Sequence, residues 1–275
     1  MSFQPVLPFG GYAGWRFLDR TLESQQAAFA KAPAMQRDAD YFRANIAKAT
    51  TAEALVADHR LMKVALGAFG LDDDLPNKAF IRKVLGEGTL QAEALSNRLS
   101  DKRYAAMAKA FGYDLQPPRV GQSDFADKIL VAYDSRRFET AVGDQDGNMR
   151  LVLALQRDLG DVAAKTTSEA TKWFTIMGTP PLRSVFEGAL GLPSSFATLD
   201  IDKQLETLQE RTGALFGSPD VSQFSDPAQM EKLARLFLVR AELAGGGASA
   251  VSGQSVALQL LQGTQAGGGV LSLLG

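Results

Sequence analysis

Apolar residues recur at helical spacing along most of the chain. Phe17, Leu18, Leu22 and Phe29 share one face over 16–31, where Pro33 closes the helix. Tyr41, Phe42 and Ile46 mark a second helix over 41–49. Thr51 stands as the N-cap of a long stripe, Leu55, Val56, Leu61, Met62, Ala65, Leu66 and Phe69, which predicts one helix stopped by Gly70. The turn from Asp72 to Pro76 then feeds a helix carrying Phe80, Ile81, Val84 and Leu85. Further helices are predicted over 90–99, 102–111, 124–142 and 149–159, and around Trp173, Phe174, Ile176 and Met177. Thr179 and Pro180 start the next, Asp200 opens another that closes at Gly213, and Asp226 and Pro227 open the last. No alternating β-branched run bounded by hairpin turns breaks this series, so the fold class is all-α and multihelical with negligible strand.

One phrase occurs twice. Leu61, Val64, Gly67, Ala68, Gly70 and Leu71 reappear in register as Leu182, Val185, Gly188, Ala189, Gly191 and Leu192. A fainter third copy of the ending lies at Ala110, Phe111, Gly112 and Tyr113. Each reads as the last turns of a helix stopped by glycine, with an apolar residue folding back onto the helix end. Two copies in diverged surroundings argue for two related helical halves and against a solenoid. Paired prolines at 117 and 118 mark the boundary between them. The predicted organisation is an N-terminal arm over 1–15, a first helical half over 16–117, a second over 118–243, and a tail over 244–275.

The two ends differ from the rest. The arm is rich in Gly, Pro and aromatics, and it reads either as a poorly ordered terminus or as a strap whose Phe9, Tyr12 and Trp15 dock on the body. The tail has no charged residue, yet it holds Leu258, Leu260, Leu261, Leu271, Leu273 and Leu274 between glycine triplets. Two readings fit it: a flexible tail, or a segment that folds against a partner or another copy. Phe9, Tyr12, Trp15 and those six leucines are therefore the candidate partner-binding residues.

Composition narrows the function classes. With 45% hydrophobic and 22% charged residues the chain is an ordinary globular one. A net charge of -2 supplies no broad attraction to nucleic acid or anionic membrane. The absence of cysteine excludes disulfides, thiolate metal sites and thiol nucleophiles. The first residues lack the basic region and apolar run of a Sec signal, and no stretch approaches the ~18 apolar residues of a membrane span.

Candidate chemistry is sparse. His59 is the single histidine and is expected as a surface or half-buried residue of the long capped helix, unable to form a histidine cluster alone. Asp72, Asp73 and Asp74 fall at a helix start, where capping and the helix dipole favour carboxylates. The stretch from Asp144 to Asn148 resembles a calcium loop, but its glycine is two places early and Leu155 stands where a bidentate glutamate is needed, so it reads as a turn. Gly10, Gly11 and Gly14 lack dinucleotide spacing, and no Walker lysine or serine elbow occurs. The basic pairs Arg82–Lys83, Lys102–Arg103 and Arg136–Arg137 are expected on solvated helix faces. The expectation is no catalytic residue, no metal, no cofactor and no enzyme activity.

The repeated phrase and its flanks resemble a family of uncharacterised alphaproteobacterial proteins, mostly helical and often encoded among flagellar genes. The matching stretches are 11–19, 59–71, 80–85, 97–104 and 190–193, spread over roughly residues 11–245. The resemblance implies a helical fold and, from genomic company, a flagellar role in assembly, export or structure; it supplies no catalytic residue. The expected function is thus a non-enzymatic, flagellum-associated accessory or structural protein acting through helix-mediated contacts with a protein partner. The alternative is a cytoplasmic chaperone or regulator of a flagellar export substrate. The expected location is the cytoplasm, or export by a flagellar-type route.

Overall fold

Both copies of the repeated phrase end a helix by the same hydrogen bonds. In the computed structural model, which describes residues 3–245, His59–Phe69 and Pro180–Leu190 are helices closed by Gly70 and Gly191, at φ 67° and 65°. The amide of Leu71 donates to Leu66 O at 3.0 Å and that of Leu192 to Glu187 O at 2.9 Å. Gly70 and Gly191 donate to Gly67 O and Gly188 O, each at 3.2 Å. These are Schellman closures, and the left-handed backbone they need is the reason for glycine.

The helices in chain order are α1 (Gly11–Ala30), α2 (Pro33–Asn45), α3 (Ala52–Ala57), α4 (His59–Phe69), α5 (Lys78–Glu87), α6 (Leu95–Arg98) and α7 (Lys102–Phe111). They continue as α8 (Phe125–Gly143), α9 (Gly147–Ala163), α10 (Glu169–Met177), α11 (Pro180–Leu190), α12 (Ile201–Phe216) and α13 (Pro227–Gly245). Short 3-10 turns join several of them, and there is no strand among the described residues.

The duplicated unit is a helix pair. On α8 the Tyr133 ring lies 2.7 Å from where a Cβ on Gly67 would stand, and on α13 the Phe237 ring lies 2.8 Å from the same point on Gly188. The inner glycine of each phrase lets an aromatic ring of the partner helix reach the α4 or α11 backbone. Three residues on, Arg136 and Arg240 reach the closing glycines, 3.0 and 2.7 Å from the Cβ positions of Gly70 and Gly191. Tyr133 and Arg136 on α8 thus match Phe237 and Arg240 on α13. The core residues Ile129 and Leu130 likewise match Leu233 and Ala234.

Several predicted elements are corrected. The arm does not extend to residue 15: α1 begins at Gly11, and only the residues before it run extended. The long helix predicted from Thr51 to Gly70 is two helices, because the Asp58 carboxylate accepts the Arg60 and Leu61 amides at 2.9 and 3.1 Å and caps a new start. His59 is therefore the first residue of α4 rather than a mid-helix residue. Pro33 both ends α1 and occupies the first turn of α2. The helix predicted over 90–99 shrinks to α6, since the Thr89 and Leu90 amides bind the Asp114 carboxylate at 2.8 and 3.1 Å. Residues 244 and 245 belong to α13.

A turn at Pro117 and Pro118 separates the halves in sequence, while one apolar core runs through both. Phe111 and Phe125 meet edge to face across that turn at 5.2 Å. The Lys102 amide donates to Gly178 O at 3.1 Å, tying α7 to the end of α10.

Asp134 on α8 opposes this packing. Burial pushes its carboxyl up to about 6, with the Arg43 charge acting the other way. A carboxyl raised above its unfolded value of about 4 binds its proton more tightly when folded. Its contribution is fully favourable below pH ~4 and is lost as pH rises through about 6. With the shift discounted for the solvent that half-buried Asp134 keeps, Asp134→Asn is expected to stabilise the chain at pH 7.5 by on the order of 1 kcal/mol and to have a far smaller effect at pH 4; thermal denaturation at both pH values reads this directly.

Candidate functional site

The extended arm is strapped to the body. Gln25 on α1 accepts the Val6 amide at 2.7 Å and donates to Val6 O at 3.2 Å, while Gln145 donates to Pro5 O at 2.9 Å. Phe3 packs edge to face on Phe29. Of the candidate contact residues, Phe9 stands 63% exposed. Tyr12 is half-buried and donates to Glu231 Oε1 at 2.7 Å, a carboxylate it shares with Arg16 at 3.2 Å. That hydrogen bond, more than burial, raises the Tyr12 phenol above its ordinary value. Trp15 corrects the sequence reading: it has no exposed surface and belongs to the core, because helix α1 starts early enough to turn it inward. Leu258, Leu260, Leu261, Leu271, Leu273 and Leu274 lie outside the described residues.

The other sequence candidates are placed as follows. His59 is exposed at the start of α4. Asp72 faces Arg137 at 3.6 Å, and Asp74 accepts from Asn77 and Tyr104. Asp146 is the N-cap of α9, accepting the Asn148 and Met149 amides at 2.9 and 3.0 Å.

The basic pairs depart from expectation. Arg82–Lys83 does lie on an exposed face, but Lys102–Arg103 and Arg136–Arg137 converge. Arg103 on α7 and Arg136 on α8 form a wall common to two clefts where the halves meet, of about 260 and 440 Å³. The smaller is also lined by Lys102, Lys165, Asp158 and Asp161; the larger by Arg150, Arg157 and Glu139. The side chains of Arg103, Arg136 and Arg157 are only 26%, 17% and 21% exposed.

Two of these cations are fully engaged. Arg103 forks onto Asp101 and donates to Gly70 O. Arg157 binds Glu139 and forks onto Asp158 at 2.8 and 2.7 Å, and these carboxylates outweigh burial to hold its pKa above the ordinary value. Sequence reasoning missed this cluster because its members lie on α7, α8 and α9. The signal was limited to basic pairs interleaved with apolar residues.

Comparison with known proteins follows from this fold. A family model described as a protein of unknown function, DUF1217, matches residues 68–230. A crystal structure of an Agrobacterium tumefaciens protein, solved as a structural genomics target, is similar with 25% identity and a TM-score of 0.72; the match covers 88% of this chain and 99% of that one. No curated protein matches.

Proposed function

The chain belongs to the DUF1217 family of proteins of unknown function, and from that premise we propose that it is a non-enzymatic, flagellum-associated accessory or structural protein acting through helix-mediated contacts. The flagellar part of this reading rests on the genomic company that the family resemblance implies. The contact part rests on one corner of the molecule. There the Glu242 carboxylate, near the end of α13, occupies the space that a side chain on Gly11 would take. This joins the arm, with Phe9 63% exposed, to the end of the helix bearing Leu243, 77% exposed. Residues 246–275, with their six leucines, continue the chain from that end. Separated apolar side chains are ordinary on a surface, whereas Phe9 and Leu243, each exposed within two residues of the Gly11–Glu242 contact, suit a protein partner.

The clefts between the halves set charged side chains among their apolar ones, which suits an accessory role better than a chaperone holding an unfolded export substrate. The site of action is then the flagellar base or axis, reached from the cytoplasm or by flagellar-type export. No helix among the described residues is long and apolar enough to cross a membrane.

Deleting residues 246–275 is expected to abolish co-purification with rod, hook or export-gate components while shifting the melting temperature by only a few degrees. The tagged protein is recovered from motile cells fractionated into cytoplasm, basal bodies and medium. A protein found alone in the cytoplasm of cells that swim normally without it would remove the flagellar assignment. Collapse of folding on removal of the tail would remove the tail as the contact element.

A further inference from the structure

The duplicated helix pair offers an internal control on Arg136. In the second copy Arg240 donates from Nη1 to Ala189 O at 2.6 Å, serving the C-terminal carbonyls of α11. In the first copy the corresponding end of α4 is served by Arg103, whose Nη1 donates to Gly70 O. Gly70 O is the counterpart of Gly191 O rather than of Ala189 O, and Arg136 makes no bond to Ala68 O to match the one its twin makes. No hydrogen bond among the described residues uses its guanidinium, and its salt-bridge partner Asp158 is 4.0 Å away and forked by Arg157. A guanidinium carries five donors, and those of Arg136, held in the cleft at 17% side-chain exposure, are open to a ligand.

The surroundings point to an anion. The two clefts that share Arg136 are lined by Lys102, Arg103, Arg136, Arg150, Arg157 and Lys165 against Glu139, Asp158 and Asp161. That is a local positive excess in a chain whose net charge is -2. Burial, and after it the neighbouring Arg157 charge, press the Arg136 pKa down to about 10, which an incoming anion relieves. An excess above one unit charge favours a multivalent anion, and the planar fork of arginine matches phosphate oxygens. The volumes of about 260 and 440 Å³ suit a small molecule.

We propose that the smaller of the two clefts binds a small phosphorylated ligand, with the phosphate seated on Arg136. Lys102 and Lys165 stand at its rim, and Arg103, with Arg150 and Arg157 in the neighbouring cleft, supplies long-range attraction. This assignment is independent of the flagellar contact surface.

The test is calorimetric titration of the full chain at low ionic strength with inorganic phosphate, pyrophosphate and citrate, paired with thermal denaturation. Pyrophosphate is expected to bind most tightly and to raise the melting temperature. Arg136→Gln is expected to weaken pyrophosphate at least tenfold, yet to melt close to the parent in ligand-free buffer, because no hydrogen bond among the described residues uses its guanidinium and Asp158 stays forked by Arg157. Arg240→Gln is expected to do the reverse, keeping pyrophosphate affinity while melting lower. Ala106→Glu places a carboxylate at an exposed position on the cleft wall and is expected to abolish binding. Unchanged affinity in Arg136→Gln, no response to millimolar phosphate or pyrophosphate, or tighter binding of citrate each overturns the proposal. Should Arg136→Gln fail to fold, Ala106→Glu decides: retained pyrophosphate binding overturns the site, and its loss supports it.

Discussion

Replacing Trp15 by alanine lowers the stability of this chain by about 3–5 kcal/mol, the range for removing a large aromatic from a packed core. For a domain of this size that is a fall of roughly 6–20 °C in melting temperature. The side chain has no exposed surface, and it sits in the second turn of α1 facing the core. Trp15→Phe is expected to cost well under half as much. The Trp15 Nε1 has no hydrogen-bond partner among the described residues, and losing such a buried donor offsets part of the lost packing. Phe9→Ala, six residues earlier and mostly exposed, should stay within about 0.5 kcal/mol. Urea denaturation of the three variants measures all of this. A Trp15→Ala protein as stable as the parent would return Trp15 to the list of contact residues.

Arg157→Met is expected to cost about 3 kcal/mol or more, because it strands a buried carboxylate. The Glu139 side chain is 7% exposed and takes its close contact from the Arg157 Nη1. Removing one member of a buried pair is far worse than removing both, since the desolvation of the remaining charge is then unopposed. Adding Glu139→Leu to Arg157→Met should therefore recover most of the loss. The measurement is a double-mutant cycle by chemical denaturation. If the double variant is less stable than either single one, the charges are not acting as a pair, and the network around Arg136 must be read differently.

Much of the fold was legible in the sequence because its causes are local. The glycine stops at Gly70, Gly112 and Gly191 follow from backbone geometry that only glycine adopts freely. Asp200 precedes its helix as a capping residue must. Errors arose where a side chain served a segment that periodicity assigned elsewhere. The stripe through Leu55, Leu61 and Phe69 runs across Asp58 without a break in spacing, and the cap interrupts the backbone while the apolar face continues. Residues 90–94 carry helix-forming composition, but Asp114, some two dozen residues on, binds the amides at their start. The candidate cleft was the least legible part. Lys102–Arg103 and Arg136–Arg137 look alike as sequence, each a basic pair among apolar residues, and neither indicates that Arg103 and Arg136 share a wall.

The helices, most of their stops and the duplication are encoded along the chain, since each depends on contacts within about four residues. The tertiary structure alone decided that the duplicated unit is a pair, α4 with α8 and α11 with α13. Gly67 and Gly188 acquire meaning only when an aromatic ring from a distant helix reaches the backbone they leave uncovered. It also decided the fates of two arginines that occupy equivalent places in that pair. Arg240 bonds a carbonyl at a helix end, while Arg136 makes no such bond and lines a cleft beside Arg103. Charge and hydrogen-bond satisfaction depend on what packs nearby in space, and that information is not carried by spacing along the chain.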